Sequence, residues 1–255
     1  LEKVSNQMVE RRTAERGVRL LSWRNDMRIC GFEGVEGCVF DFNGTLLFDT
    51  PAHADAWREF LREEGIIVSD ADIQKHIQGR PNPDILRHFF GELTDEKIRT
   101  YAERKEEKYR AVCLRHPEWF RLVDGVAQMF DRMRELEFPF TIATSSQWGN
   151  VSFYFEHLGL DRWFTPESIV FDNGKMAGKP APDIYLKAMQ LINCRPEKCM
   201  VFEDSLSGIR SGHAAGAGWI IAMDSDLDRE LLQQIEGVSR VISDFRTALE
   251  DSGKK

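Results

Sequence analysis

Short apolar runs, most rich in β-branched residues and each followed by an amphipathic stretch, limit most strongly what this chain can fold into. They are Cys38–Phe40, Phe140–Ala143, Ser168–Phe171, Met200–Phe202, Trp219–Ala222 and Arg240–Ile242. Strands alternating with helices predict an α/β fold, a mostly parallel sheet with helices on both faces. In such sheets ligands bind beyond the carboxyl ends of the strands, where the strand order reverses. The polar motifs of this chain sit at or just after such ends, so they are expected to converge.

Residues 51–121 break the alternation. Trp57, Phe60 and Leu61, then Ile85, Leu86, Phe89 and Phe90, repeat at helical spacing with no convincing strand between them. The expected division is therefore an N-terminal extension at 1–36, an α/β core from 37–50 and 122–255, and an all-helical cap at 51–121. A chain of 255 residues suits one core with a smaller insertion. The run Glu103-Arg104-Lys105-Glu106-Glu107-Lys108 is expected to be a solvated helix face with paired charges.

Composition narrows the partners. A net charge of −8 disfavours a phosphate backbone, which calls for clustered Lys and Arg. The five cysteines, Cys30, Cys38, Cys113, Cys194 and Cys199, lack zinc-site spacing and are read as reduced thiols of a cytoplasmic protein. No stretch approaches the roughly twenty apolar residues of a membrane span, so a soluble protein is expected. The first 26 residues mix arginines with acids and hold no apolar stretch of signal-peptide type, which reads as a peripheral helix or frayed extension. Met27 is the expected start of the domain proper.

Four motifs carry chemistry. Asp41 follows Cys38–Phe40 and precedes Asn43-Gly44-Thr45. A carboxylate at a buried strand end is placed to attack an electrophile, while the N–H groups of the Gly-Thr turn cradle an anion. A second carboxylate two residues on would project from the same side and pass a proton. Asn43 stands there, and an amide cannot act as an acid. Thr144-Ser145-Ser146 offers hydroxyls and N–H groups for phosphate oxygens, and Gly178-Lys179-Pro180-Ala181-Pro182-Asp183 presents one lysine on a stiff backbone. Glu203-Asp204 supplies hard oxygen ligands that suit Mg²⁺. Taken singly, each motif has a plainer reading: a turn, a helix N-cap, a solvated lysine, an acidic helix start.

Taken in order, the four resemble the haloacid-dehalogenase-like phosphatase superfamily from about Gly37 to Ile242. The β-phosphoglucomutase and sugar-phosphate phosphatase branch is echoed by Asp49-Thr50, His53, Trp57, Gly79 and the Lys179–Asp183 loop. That resemblance implies a Rossmann-like core with a helical cap. It implies that Asp41 attacks phosphorus to form an aspartyl-phosphate, which water hydrolyses. Mg²⁺ would be held by Asp41, the main-chain carbonyl of Asn43 and Asp204, with Glu203 beside them. Phosphoryl oxygens would rest on Gly44, Thr144, Ser145 and Lys179. The expected protein is a Mg²⁺-dependent phosphatase of a small phosphorylated metabolite, a monomer or weak dimer with neither nucleic acid nor membrane as partner.

The chain departs from the family pattern at the acid/base. The family usually has Asp at position 43, in a role worth about 10²–10⁴ in rate. The readings left open are an enzyme using good leaving groups or another proton source, a silent phospholigand binder, and a residue changed to trap a complex. His53, near the cap entrance, is able to supply a proton, or it packs. The arginine and lysine by which mutases grip a second phosphate look replaced by Asn82 and Gln147, with Arg80 as a candidate substitute in the cap. Hydrolysis is therefore expected ahead of phosphomutase activity. Trp148 is expected to pack on the core or line the pocket. His76, His88, His116, His157 and His213 are read as structural.

Overall fold

The computed structural model describes residues 27–251; the arginine-containing stretch before them lies outside the described residues. The strands are β1 (Met27–Ile29), β2 (Gly37–Phe40), β3 (Phe140–Gln147), β4 (Val170–Asp172), β5 (Cys199–Glu203), β6 (Trp219–Met223), β7 (Val238–Ile242) and β8 (Leu249–Asp251). Six of them form one parallel sheet in the order β4-β3-β2-β5-β6-β7. Order reverses between β2 and β5, so the crevice for a ligand opens at their carboxyl ends. The expected strand at Ser168–Phe171 begins later, because Pro166–Ser168 turns as a 3-10 helix closed by the Thr165 and Ser168 side chains. In contrast, β3 runs on through Thr144-Ser145-Ser146.

The helices are α1 (Thr50–Glu63), α2 (Asn82–Phe90), α3 (Asp95–Arg115), α4 (Val126–Glu135), α5 (Trp148–Leu158), α6 (Asp183–Leu191), α7 (Leu206–Ala214) and α8 (Arg229–Gln233). Alternation along the central strands decides which helix each side chain meets. Phe40 and Phe202 stack with centroids 4.6 Å apart, and Phe130 of α4 meets Phe40 edge-on at 5.1 Å. On the opposite face Val39 and Val201 join the cluster of Ile184, Tyr185 and Ala188 from α6. Both faces of β2 are thus covered, and all four of its residues are buried.

Between β2 and β3 lie only helices and turns. Trp57, Phe60, Leu61, Ile73, Ile77, Ile85, Leu86 and Ile98 form their own apolar cluster. The two layers are joined by long elements, since Ala52 and Ala56 at the start of α1 and Tyr109, Val112 and Cys113 at the end of α3 belong to the main core.

Two expectations are corrected here. The extension assigned to 1–36 is part of the domain from Met27 on: β1 pairs antiparallel with β8 and Ile29 is fully buried. The charged run 103–108 is no solvated face throughout, because Lys105 is 1 % exposed. Lys105 falls on the same helical stripe as Ile98, Tyr109 and Val112, which stand seven, four and seven residues from it, and that stripe faces inward. Its neighbours Arg104 and Lys108 do lie outward, paired with Glu64 and Glu63. All five cysteines are buried thiols outside any disulfide among the described residues. Among the described residues no helix is long and apolar enough to cross a membrane.

Candidate active site

The motifs meet where the strand order reverses. Asp41 directly follows β2, its N–H still donating to the Phe202 carbonyl at 2.9 Å. Glu203 ends β5 and Asp204 follows it. Lys179 reaches in from the loop between β4 and α6, beside a cis Lys179–Pro180 peptide. Its Nζ donates to Asp41 Oδ1 at 2.5 Å and to Glu203 Oε1 at 3.0 Å. The same ammonium lies 5.0 Å from the centre of the Tyr185 ring, whose buried hydroxyl has no hydrogen-bond partner among the described residues.

Two glycines let backbone approach this cluster. Gly44 has φ +80°, and a Cβ there would stand 2.1 Å from the Asp204 carboxylate. A Cβ on Gly208, in the first turn of α7, would stand 1.9 Å from that of Glu203. Any side chain at either position collides with a charged group that the fold holds in place. Ser205 caps α7 and contacts the Glu203 carboxylate, and the Thr45 hydroxyl donates to Asp204 at 3.2 Å.

Asp41, Glu203 and Asp204 each offer a carboxylate oxygen, all within 4.8 Å of one another. Burial pushes the Asp41 carboxyl up to about 7, against the pull of Lys179 and helped by the Glu203 anion. Burial and the same neighbouring anions push Asp204 well above the carboxylate range. The Lys179 ammonium resists burial because Asp41 and Glu203 surround it, and it stays well above the ordinary lysine value. Three carboxylates around one ammonium leave negative charge uncompensated, and a hard divalent cation with oxygen ligands fits that donor set.

Asn43 is held firmly. Its Nδ2 donates to Asp49 Oδ2 at 2.6 Å and to the Tyr154 hydroxyl at 2.9 Å, while Oδ1 accepts from Ser146 Oγ at 2.8 Å. Asp49 sits at the N-cap of α1 yet makes no cap hydrogen bond, unusual for an acid at that position. Its carboxylate turns inward to Asn43, the Tyr109 hydroxyl and His53. Burial alone would raise Asp49, but His53 and the hydrogen bonds from Tyr109 and Asn43 hold it below the ordinary value. His53 stacks on Tyr109 at 4.0 Å and takes Lys105 Nζ on Nδ1 at 2.7 Å, so an ammonium donor there leaves Nε2–H facing Asp49, 3.4 Å away.

The remaining sequence candidates divide. Thr144 is buried, its hydroxyl accepting from the Ser146 N–H at 3.1 Å. Ser145 is exposed, and Ser146 is the hydroxyl that joins the network. Arg80 is exposed beside His76, and Gln147 is exposed as well. Asn82 is occupied with Glu106 at 2.8 Å. Trp148 corrects the packing expectation: it is 47 % exposed, resting only against Phe171 among ring contacts of the described residues.

Several participants escaped the sequence reading. Lys105, Glu106, Tyr109 and Tyr154 look like ordinary helix residues, and only the placement of Lys105 on an apolar stripe signals that its charge is buried. Asn150, which donates to Glu106 at 2.8 Å, and Asp226, which accepts from the Thr50 hydroxyl at the start of α1, carry no local signal at all.

A family model described as haloacid dehalogenase-like hydrolase matches residues 35–216. A fructose-1-phosphate phosphatase of Escherichia coli is 33 % identical over 189 residues, which cover 72 % of this chain and 95 % of that protein. A β-phosphoglucomutase of Mycobacterium tuberculosis is 27 % identical, covering 77 % of this chain and 84 % of its own length. The crystal structure of a HAD hydrolase, family IA, variant 3, from Entamoeba histolytica superposes with a TM-score of 0.78 at 40 % identity, over 82 % of this chain and 93 % of that one.

Proposed function

The chain belongs to the haloacid dehalogenase-like hydrolase family, and on that premise we propose that it is a Mg²⁺-dependent phosphatase of a small phosphorylated metabolite, a sugar or polyol phosphate, working through an aspartyl-phosphate on Asp41. The observation that carries this reading is the convergence of Asp41, Glu203 and Asp204 on one point beside Lys179. In this reading an Asp41 carboxylate oxygen attacks phosphorus, the bond to the leaving oxygen breaks, and water then cleaves the acyl phosphate to return Asp41 and free phosphate. Lys179 offsets the repulsion between two anions that must meet, and Thr144 with the N–H groups of the Gly44 turn hold the phosphoryl oxygens. Asp41, Asp204, Glu203 and the Asn43 carbonyl would hold Mg²⁺, which supplies positive charge to the transferring group.

Residues 51–121 serve in this reading as a cap that excludes water from the phosphoryl group. Asn43 orients the leaving group or the water without exchanging a proton. Its amide, fixed by Asp49, Tyr154 and Ser146, is also the observation that favours a second reading, a phospholigand-binding protein with impaired turnover.

A substrate panel tests the proposal. With Mg²⁺ the protein is expected to release inorganic phosphate from hexose and polyol monophosphates and from aryl and acyl phosphates. Ligand-induced stabilisation with no release from any of them supports the binding protein instead, and isomer formation without release supports a mutase. Asp204→Ala is expected to weaken Mg²⁺ binding by at least tenfold, about the lower scale for disturbing a metal site. Calorimetry showing equal Mg²⁺ affinity in the variant and the parent would remove Asp204 from the site.

A further inference from the structure

Tyr185 stands in the first turn of α6, six residues after Lys179, in the buried cluster that also holds Val39 and Val201 of the sheet. Glu203, Lys179 and Asp41 are the charged groups that act on its phenol, so the hydroxyl lies at the edge of the site. The Lys179 ammonium is 5.0 Å from the ring centre, yet the buried hydroxyl is bonded to nothing among the described residues. Leaving a buried hydroxyl unpaired is costly, and such a group calls for an explanation.

The ammonium beside it is one acceptor short. A lysine ammonium has three N–H donors; here two go to Asp41 Oδ1 at 2.5 Å and Glu203 Oε1 at 3.0 Å, and no acceptor among the described residues takes the third. An unmatched donor and an unmatched hydroxyl thus stand side by side. Burial foremost, then the Glu203 anion, pushes the Tyr185 phenol well above its ordinary value, so it stays a neutral hydroxyl able to accept from a cation. At rest the Asp41 anion is the stronger attraction for Lys179. Once Asp41 is bonded to phosphorus its carboxylate is an acyl phosphate, and the anionic charge that held the ammonium there is gone.

We propose that Tyr185 is a positioning residue: as the bond between Asp41 and phosphorus forms, its hydroxyl accepts an N–H of Lys179 and holds the ammonium against the phosphoryl oxygens. The inference rests on the phosphatase reading above and adds a residue to its machinery. This hydrogen bond is made in the reacting state and not at rest, so it lowers the barrier without tightening substrate binding. One hydrogen bond to a charged group is worth about tenfold or more in rate.

Tyr185→Phe removes the hydroxyl and keeps the ring. With p-nitrophenyl phosphate and Mg²⁺, kcat/KM is expected to fall about tenfold, while inorganic phosphate inhibits with an unchanged Ki. In chelator the Tm of the variant is expected to equal or exceed that of the parent, since the change removes a hydroxyl that nothing satisfied. An unchanged kcat/KM, a Ki that rises in step with the loss, or a Tm lowered in chelator overturns the inference while leaving a phosphatase in place; the lowered Tm would show a hydroxyl bonded at rest and serving the packing. If the parent releases phosphate from no phosphomonoester, the phosphatase reading itself fails. Calorimetry of the Mg²⁺-loaded protein with orthovanadate, which takes a fifth oxygen ligand as phosphorus does under attack, then carries the test. Tyr185→Phe is expected to raise that Kd about tenfold, and an equal Kd or undetectable binding overturns the role of Tyr185.

Discussion

Asp41→Asn is expected to lower phosphate release on the order of 10⁵–10⁶-fold, the scale on which a covalent nucleophile is lost, because the amide cannot form the acyl phosphate. The same change should make the cation-free protein more stable at neutral pH. The Asp41 carboxyl lies at about 7 in the folded chain against an ordinary 3.8, raised chiefly by burial. Between those values the folded state keeps a proton that the unfolded state has released. The sign follows: this group's contribution to stability is complete below about pH 4 and is lost as pH rises through 7, at a cost on the order of 4 kcal/mol. In chelator, Tm of the parent should therefore fall over that interval, and the fall should shrink in Asp41→Asn or when Mg²⁺ is added. Turnover retained near the parental rate would rule out Asp41 as nucleophile. An unchanged pH slope in the variant would show that other groups dominate the cluster's titration.

Asn43→Asp is expected to raise turnover on alkyl phosphates such as sugar phosphates by about 10²–10⁴-fold and to flatten the dependence on leaving group. The parent lacks an acid at this position, so aryl and acyl phosphates, whose leaving groups bear negative charge well, should be its faster substrates. The structure explains why the new carboxyl would be a serviceable acid. Asn43 Nδ2 stands 2.6 Å from Asp49 Oδ2, so the substitution sets two buried carboxylates face to face. They cannot both ionise cheaply, and the pair will share a proton and titrate as one unit with one value raised. Stability contributed by that proton is present at low pH and lost as pH rises through the raised value, so the variant should unfold more easily than the parent above neutrality and converge with it in acid. Rates on a leaving-group series and Tm against pH check both halves. No gain in rate, with brisk hydrolysis of sugar phosphates by the parent, would direct attention to His53 as the proton carrier.

The strand runs and the four motifs were readable from local pattern because their causes are local. A buried parallel strand demands apolar residues in sequence, and Asp41, Thr144, Lys179 and Glu203-Asp204 announce themselves by following such apolar runs or by standing just before two closely spaced prolines. The convergence of these residues followed from the general rule that the carboxyl ends of parallel strands share one edge. Ser145 and Ser146 show the limit of that reasoning. Side chains alternate along an extended strand, and only the strand's continuation through the motif decides which hydroxyl turns inward.

The sequence by itself therefore determined an α/β sheet, a helical insertion after the first motif, a cluster of carboxylates with one lysine, and an amide where an acid would serve. The tertiary structure decided what surrounds that amide and what lies over the site. Asp49 reads as a helix cap and becomes a buried acceptor for Asn43; Lys105 and Glu106 read as part of a surface run and become an ion pair between two layers, with Lys105 buried and Glu106 half-buried. Their partners stand tens of residues away, and no local pattern encodes which charge of a mixed helix will meet them. Hydrogen-bond donors and acceptors are assigned by the packing of whole helices, and a charge enters the interior only where that packing brings its partners with it.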